Sequence, residues 1–427
     1  MNKKIEKIQD AETDRRMEQA ILAEIKEADL LVGIPSYNNA RTIGHVVKTV
    51  SDGLAKYFPG ARGVLCVSDG GSTDGTQEEI QKARMGNFKL ILASHPVQPI
   101  DKISAPYRGI LGQEKAYRTF LETAKSLRAK ACAIVDPDLK SITPEWMENL
   151  LRPIYEERIQ YVAPLFTRQK FDGMITNSIV YPLTATLYGK RVRQPIGGNF
   201  AFSGEVAEFY LGKAAWESEV FRFGIDIWMT TLAVVKGYKV GQAYLGVKVH
   251  EARESAGDLA TMFTQVISSV YALMGEYQNF WKGVTASEPI PAFGNLPEAP
   301  VEPISVNLER MIQIFRLGVR DLMEIWRKVL PSETAVGLAS LGRLSDEAFH
   351  FPQHLWVHMI YDFGVAYHRG PLHRDHLLKS MIPLYLGWVA SFIKENQEAS
   401  ARELEERIES LCRFFEESKP YLMQHWP

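Results

Sequence analysis

Ala131-Cys132-Ala133-Ile134-Val135-Asp136-Pro137-Asp138 is the stretch on which the reading of this chain turns. The apolar run is of a length that suits a buried β-strand. Where it ends, two carboxylates follow at i and i+2 and can point together into the mouth of a site. Hard oxygen ligands of this kind suit Mg2+ or Mn2+, and Mg2+ usually binds through one or two carboxylates plus substrate phosphates. The pattern therefore points to a metal that grips a nucleotide diphosphate. Surface turns are also rich in Asp, so the tripeptide gains its meaning from what surrounds it.

Strands and helices alternate on either side of it. Leu30 to Pro35 reads as a short apolar strand, Thr42 to Tyr57 has helical spacing, and Gly63 to Ser68 reads as a second strand. Thr76 to Arg84 reads as a short helix, Phe88 to Ala93 as a third strand, Gln113 to Ala129 as a helix and Tyr161 to Phe166 as a further strand. Thr143-Pro144-Glu145 has a helix start, with Thr as N-cap and Pro at the first helical position. The alternation implies an α/β fold with a mostly parallel sheet and helices on both faces. Ligands of such sheets bind beyond the carboxyl ends of the strands, where Asn38, Asp69 and Asp136 all fall. Asp69-Gly70-Gly71-Ser72-Thr73-Asp74-Gly75 follows the second strand, and its glycines permit a tight turn and close backbone approach to a ligand. Asp69 can accept hydrogen bonds from a base or ribose; Asp74 reads as a turn or cap residue.

Composition is that of a globular protein, 46% hydrophobic and 23% charged over 427 residues, enough for two or more domains. The net charge of −2 gives no basic field for nucleic acid or an anionic membrane. The first residues carry no apolar signal-peptide core, and the longest apolar stretch, Met381 to Ile393, is too short to span a bilayer. Cys66, Cys132 and Cys412 read as small core residues of a reducing compartment, and the expected location is cytoplasmic. A Pro-rich segment from Glu288 through Pro303 marks a boundary. We divide the chain into an N-terminal helix (1–28), an α/β domain (29–284), a linker (285–305) and an all-helical domain (306–427). Helical signals run through Leu308 to Val329, Glu347 to Tyr367, Asp375 to Asn396 and Ser400 to Glu417 of the last, and their apolar faces suit a core or a homodimer contact. His354 and His358, at i and i+4, share a helix face that could hold a metal, but aromatic neighbours favour packing.

Gly33-Ile34-Pro35-Ser36-Tyr37-Asn38-Asn39, Val67 to Asp74 and Asp136-Pro137-Asp138 together resemble, in order and spacing, the motifs of nucleotide-sugar glycosyltransferases of the GT-A fold, whose domain is Rossmann-like. Phe171 to Asn177, Tyr188 to Asn199, Gly224-Ile225-Asp226-Ile227-Trp228 and Val249-His250 resemble the group of glucosyl-3-phosphoglycerate, glucosylglycerate and mannosylglycerate synthases. The likeness covers roughly residues 28 to 275 and, more loosely, the helical tail. It implies a metal-dependent retaining transferase acting in the synthesis of compatible solutes or glycosylated precursors. It also implies roles. Pro35, Tyr37, Asn39, Asp69, Lys115, Asp136 and Pro137 would bind the donor. Asp136 and Asp138 would serve the metal and sugar diphosphate, with His250 as a further ligand of Mg2+ or Mn2+. Asp226, which also reads as a helix N-cap, would contact sugar hydroxyls in catalysis. Gly173, Thr176, Asn177, Gly198 and Asn199 would bind the acceptor.

The chain departs from that group at several points. Asn39 stands where many relatives have an acidic residue, and Lys115 follows Gly112-Gln113-Glu114 where relatives carry Gly-Lys-Gly. Met174 stands where members that take 3-phosphoglycerate have Arg, and Ala252 where they often have Asn. Losing a guanidinium removes the best bidentate phosphate partner, which favours unphosphorylated D-glycerate; Arg168, Lys170 or Arg253 could still hold a carboxylate or phosphate. The expectation is transfer of a hexose, glucose first, from a GDP-, UDP- or ADP-sugar to the 2-hydroxyl of D-glycerate. Alternatives are 3-phosphoglycerate as acceptor, GDP-mannose as donor and, more distantly, an inverting transferase building polysaccharides or lipid-linked sugars.

Overall fold

Leu30–Ser36 (β1) is buried along its whole length, as befits a strand covered on both faces. Its side chains alternate between two environments. Leu30, Val32 and Ile34 enter a core with residues of Ile43–Tyr57 (α1) and Glu145–Tyr155 (α4). Gly33 faces the other way, against the Phe120 ring of Gln113–Ser126 (α3), where a Cβ would lie 2.6 Å from ring carbons. Glycine there lets that helix lie close on the sheet. The computed structural model describes residues 22–83, 86, 88–95, 112–213, 219–249, 259–295 and 306–427, apart from the side chains of 219–223.

The sheet grows outward from β1. Gly63–Asp69 (β2) pairs parallel with it, Leu30 opposite Gly63 and Ser36 opposite Asp69. Thr76–Lys82 (α2) leads on to Lys89–Ser94 (β3), parallel to β2. Ala131–Ile134 (β4) pairs parallel with β1 on its other side. Beyond β4 come Ala201–Ser203 (β6), Tyr161–Thr167 (β5), Val240–Val247 (β7) and Ala292–Phe293 (β8), giving an 8-stranded order β3-β2-β1-β4-β6-β5-β7-β8 among the described residues. Among the described strands, β6 alone runs antiparallel to its neighbours. The α/β class and the mostly parallel sheet agree with the sequence reading. The strand order reverses direction between β1 and β4, a switch point of the kind that opens a crevice beyond the carboxyl ends of an open α/β sheet.

Three elements differ from expectation. β6 is 3 residues long, too short for alternation to show. Leu165 opposes Tyr244 while Phe166 opposes Gly246, so Leu245 is a bulge in β7, and Gly246 has φ 77°. The Pro-rich segment is not structureless: Ala292 and Phe293 form β8 on the edge of β7, where proline is tolerated. Its residues 296–305, like most of the expected N-terminal helix, lie outside the described residues.

The chain divides into two compact units that interleave. One takes the described residues of Met1–Thr167, Gln194–Gly257 and Ile290–Ala299; the other takes Arg168–Arg193, Asp258–Pro289 and Pro300–Pro427. Segments 168–193 and 258–289 thus cluster with the tail. Their side chains give the reason. Ala401–Glu417 (α15) presents Glu405, Glu409 and Glu416 along one stripe. Arg193 forks onto Glu405 at 2.7 and 3.0 Å, Arg191 meets Glu409 at 3.0 Å, and Ser287 meets Glu416. Lys419 donates to the carbonyls of Thr186 and Trp281 at 3.2 and 2.7 Å. The second unit is helical apart from short bridging segments, with a π-turn at Thr176–Val180 before the wholly buried Tyr181–Tyr188 (α5). The expected Glu347 to Tyr367 helix begins later, at Gln353, after Pro352. The expected helix from Asp375 to Asn396 is two, Arg374–Ser380 (α13) and Ile382–Glu395 (α14), parted at Met381 before Pro383. Arg374–Glu395 has the length and composition of a membrane span, and 78% of its apolar window is buried within the protein.

Candidate active site

The three motifs meet at the carboxyl edge of β2, β1 and β4. Asp69 ends β2, 1% exposed, and organises the turn after it: its carboxylate accepts from the Gly71 and Ser72 amides at 3.2 and 3.0 Å, from Ser72 Oγ at 2.5 Å and from Gln77 Nε2 at 2.8 Å. That turn is then bonded to the one after β1. The Asn38 amide donates to Ser72 Oγ at 2.8 Å, and Asn38 Oδ1 accepts from the Thr73 amide at 2.9 Å. Asn38 itself has φ 52°, a left-handed conformation that Asn tolerates. The Asn39 amide donates to Thr76 Oγ1 at 2.8 Å, and the Ala40 amide to Asp74 Oδ2 at 3.0 Å. Asp74 also accepts from the Thr76 amide and hydroxyl. Burial pushes its carboxyl up, but these bonds outweigh burial and hold it below the usual carboxylate range. Thr42 Oγ1 donates to the Pro137 carbonyl at 2.8 Å, tying the β1 turn to the Asp-Pro-Asp turn.

Asp136 sits in a built clamp. Asn199, fully buried and left-handed at φ 58°, accepts from the Asp136 amide at 2.7 Å and donates to Asp136 Oδ2 at 2.9 Å. Lys248 Nζ meets the same Oδ2 at 2.8 Å and the Gly197 carbonyl at 3.1 Å, and lies 5.2 Å from the Phe166 ring centroid. Gly197 is required there, since a Cβ would lie 2.5 Å from Pro164 Cγ. Gly198, at φ 63°, completes the two-residue left-handed turn into Asn199. Asp138 is half-buried two residues on. An ion carried mainly by a diphosphate needs one or two carboxylates, and with Asp136 held by an ammonium and an amide, Asp138 is the side chain that fits this need.

The other expected residues fall as follows. Pro35 is buried within β1, Tyr37 is half-buried, and Asn39 Oδ1 accepts from the Tyr37 amide, two residues back, at 2.9 Å. Lys115, half-buried, lies in the first turn of α3 after Gly112, whose φ is 70°. Asp226, 5% exposed, lies two residues past Gly224, the kink within Glu219–Val235 (α7), so it stands in the helix rather than before it. Gly173, Thr176 and Asn177 belong to the second unit. There the Arg168 guanidinium lies over Gly173, whose φ is 70°, and Arg193 Nη1 donates to Asn177 Oδ1 at 2.9 Å. His250 lies outside the described residues, as do Ala252 and Arg253. Val249, just before His250, accepts from the Lys140 amide at 2.8 Å and donates to Ser141 Oγ at 2.9 Å. Among the described residues no group of three or more His, Cys, Asp or Glu side chains is arranged to hold an ion. His358 of the tail instead stacks on Tyr421, ring centroids 4.2 Å apart.

Sequence reasoning missed Lys248. The signal for it was strand alternation: residues 248 and 250 share one side of an extended chain, so a lysine two before an expected site histidine was a candidate for the same edge.

No family model matches the chain, and no curated protein does. Among solved structures it is similar to glucosyl-3-phosphoglycerate synthase from Mycobacterium tuberculosis. Against the complex of that protein with Mg2+ and UDP, identity is 20% and the TM-score 0.41, over 60% of this chain and 82% of that one. Against its complex with Mn2+, UDP-glucose and phosphoglyceric acid, identity is 19% and the TM-score 0.38, over 67% and 91%. At this identity and TM-score the reading of the site rests on its own residues.

Proposed function

We propose that the chain is a cytoplasmic GT-A glycosyltransferase that moves a hexose, glucose first, from a nucleotide diphosphate sugar to the 2-hydroxyl of D-glycerate with retention of configuration. The observation that carries this is the hydrogen-bonded union of the turns after β1, β2 and β4 at the switch point, with Asp69, Asp136 and Asp138 among them. A nucleotide diphosphate suits that edge because bonded turns with glycines admit its phosphates closely. Asp138 and His250 would hold Mg2+ or Mn2+; Val249, the residue before His250 in the chain, is bonded to Lys140 and Ser141, which follow shortly after Asp138. A bound ion would supply Lewis-acid neutralisation of the leaving diphosphate.

Asp136, held by Lys248 and Asn199, would orient the donor, and Asp226 would meet sugar hydroxyls. The acceptor hydroxyl attacks the anomeric carbon on the face that the diphosphate leaves. The bond from that carbon to phosphate breaks as the new glycosidic bond forms, and the hydroxyl proton passes to a donor phosphate oxygen. Met174, buried where related enzymes for 3-phosphoglycerate carry Arg, supports free glycerate. A second reading, 3-phosphoglycerate, is favoured by Arg168, whose guanidinium lies over Gly173 and can be offered to a phosphate.

The test is a product assay with Mg2+ or Mn2+ that crosses GDP-, UDP- and ADP-glucose and GDP-mannose against D-glycerate and 3-phosphoglycerate, with the anomer read by NMR. The expected result is an α-linked glycosylglycerate from free glycerate. Product from 3-phosphoglycerate alone establishes the second reading, and no product from either acceptor contradicts both.

A further inference from the structure

The buried charge at the switch point is balanced within the protein. Asp136 is 5% exposed, and the Lys248 side chain is 17% exposed. Their 2.8 Å contact places an ammonium against a carboxylate that water scarcely reaches. Asn199 holds the carboxylate and the Gly197 carbonyl holds the ammonium. A buried carboxylate without such a partner would repel an approaching diphosphate, and at close range in a partly buried site that repulsion is large. Lys248 also follows directly on Val240–Val247, so its backbone is set by the sheet.

We propose that Lys248 is a positioning residue of the donor site: its ammonium cancels the Asp136 carboxylate so that the anionic diphosphate of a nucleotide can lie beside it. The inference rests on the reading of this edge as a nucleotide-sugar site. It assigns a task to a residue that acts through Asp136, and the task concerns the phosphates alone, leaving the nucleoside unaffected. It also makes the requirement one of charge balance, so that Lys248 matters only while Asp136 carries its charge.

The experiment is binding in EDTA, read by ligand-observed NMR, of UDP, GDP and ADP and of uridine, guanosine and adenosine. The proteins are the wild type, Lys248→Met, Lys248→Arg, Asp136→Asn and the double variant Lys248→Met/Asp136→Asn, each checked for fold by circular dichroism. Lys248→Met is expected to weaken the bound diphosphate at least about tenfold and to leave the matching nucleoside unchanged. Lys248→Arg is expected to restore diphosphate binding, and the double variant to bind it as Asp136→Asn does. If Lys248→Met does not fold, the last two variants decide: equal binding of the diphosphate by both supports charge balance, and a further loss in the double variant overturns it. Unchanged diphosphate binding in Lys248→Met, or equal loss of nucleoside and diphosphate, overturns the role of Lys248 and leaves the donor site standing. A wild type that binds no nucleoside diphosphate, in EDTA or in Mn2+, overturns the donor site and the role of Lys248 with it.

Discussion

Asn199 does more for the site than its place in a glycine-rich loop suggests. One amide group satisfies both the backbone and the carboxylate of Asp136, across 63 positions of sequence. Asn199→Ala removes both bonds, one of them to a charged group, and leaves a left-handed backbone without the residue that tolerates it. The loss should be about 3 kcal/mol, measured by urea denaturation, together with loss of donor binding. Asp69, by contrast, is committed to its own turn, and Asp69→Ala should cost donor binding through disorder of Gly71 and Ser72 rather than through a lost contact. Residue types were legible here: the aspartates at strand ends could be picked from the sequence. Their pairing was not: strand alternation marks Lys248 only as a residue of the same edge, and no spacing in the chain encodes the contacts that it and Asn199 make with Asp136 across β4, the β6 approach and the end of β7.

At the scale of elements, β1, β2, β3 and β5 announced themselves as apolar runs, and their observed bounds lie within a residue of the expected ones. β6 and β8 escaped, and β6, the antiparallel one among the described strands, is the one that delivers Asn199. β6 ends at Ser203, whose hydroxyl caps Gly204–Leu211 (α6) by accepting from the Val206 amide at 3.3 Å. Gly204 there lies against the backbone of Ala129, so close that a Cβ would sit 2.1 Å from its carbonyl oxygen. Neither group can move without shifting β4 or β6. Gly204→Ala is therefore expected to destabilise by about 3 kcal/mol and to lower activity with it, read as a fall in melting temperature. In α15 the capping box of Ser400 and Glu403 was open to sequence reading, and Ser400→Ala should cost about 1 kcal/mol.

For the whole molecule, the order of units along the chain is the feature sequence reasoning placed least well. Segments 168–193 and 258–289 cluster with the tail through arginine, tyrosine and lysine contacts that no local pattern foretells. The three cysteines are buried and unbridged, as small core residues should be, and burial pushes the Cys132 thiol up to about 12. The second unit carries its own acid-sensitive group. Burial pushes the Asp362 carboxyl up to about 7, against the bond from Tyr421 Oη at 2.7 Å, which lowers it. A carboxyl raised on folding binds more protons folded than unfolded between its two pKa values, so stability is full below about pH 4 and falls as pH rises towards 7. The loss is up to about 4 kcal/mol, and Asp362→Asn should flatten this slope in denaturation measured from pH 4 to 8. The central claim, that the turns after β1, β2 and β4 form a nucleotide-sugar site, is tested most directly by calorimetric titration of UDP-, GDP- and ADP-glucose into the whole chain in Mn2+, beside Asp138→Ala. One of the donors should bind the wild type, and the variant should lose at least about tenfold in affinity with its melting temperature unchanged; equal binding by the variant, or no binding of any donor to the wild type, would contradict the claim.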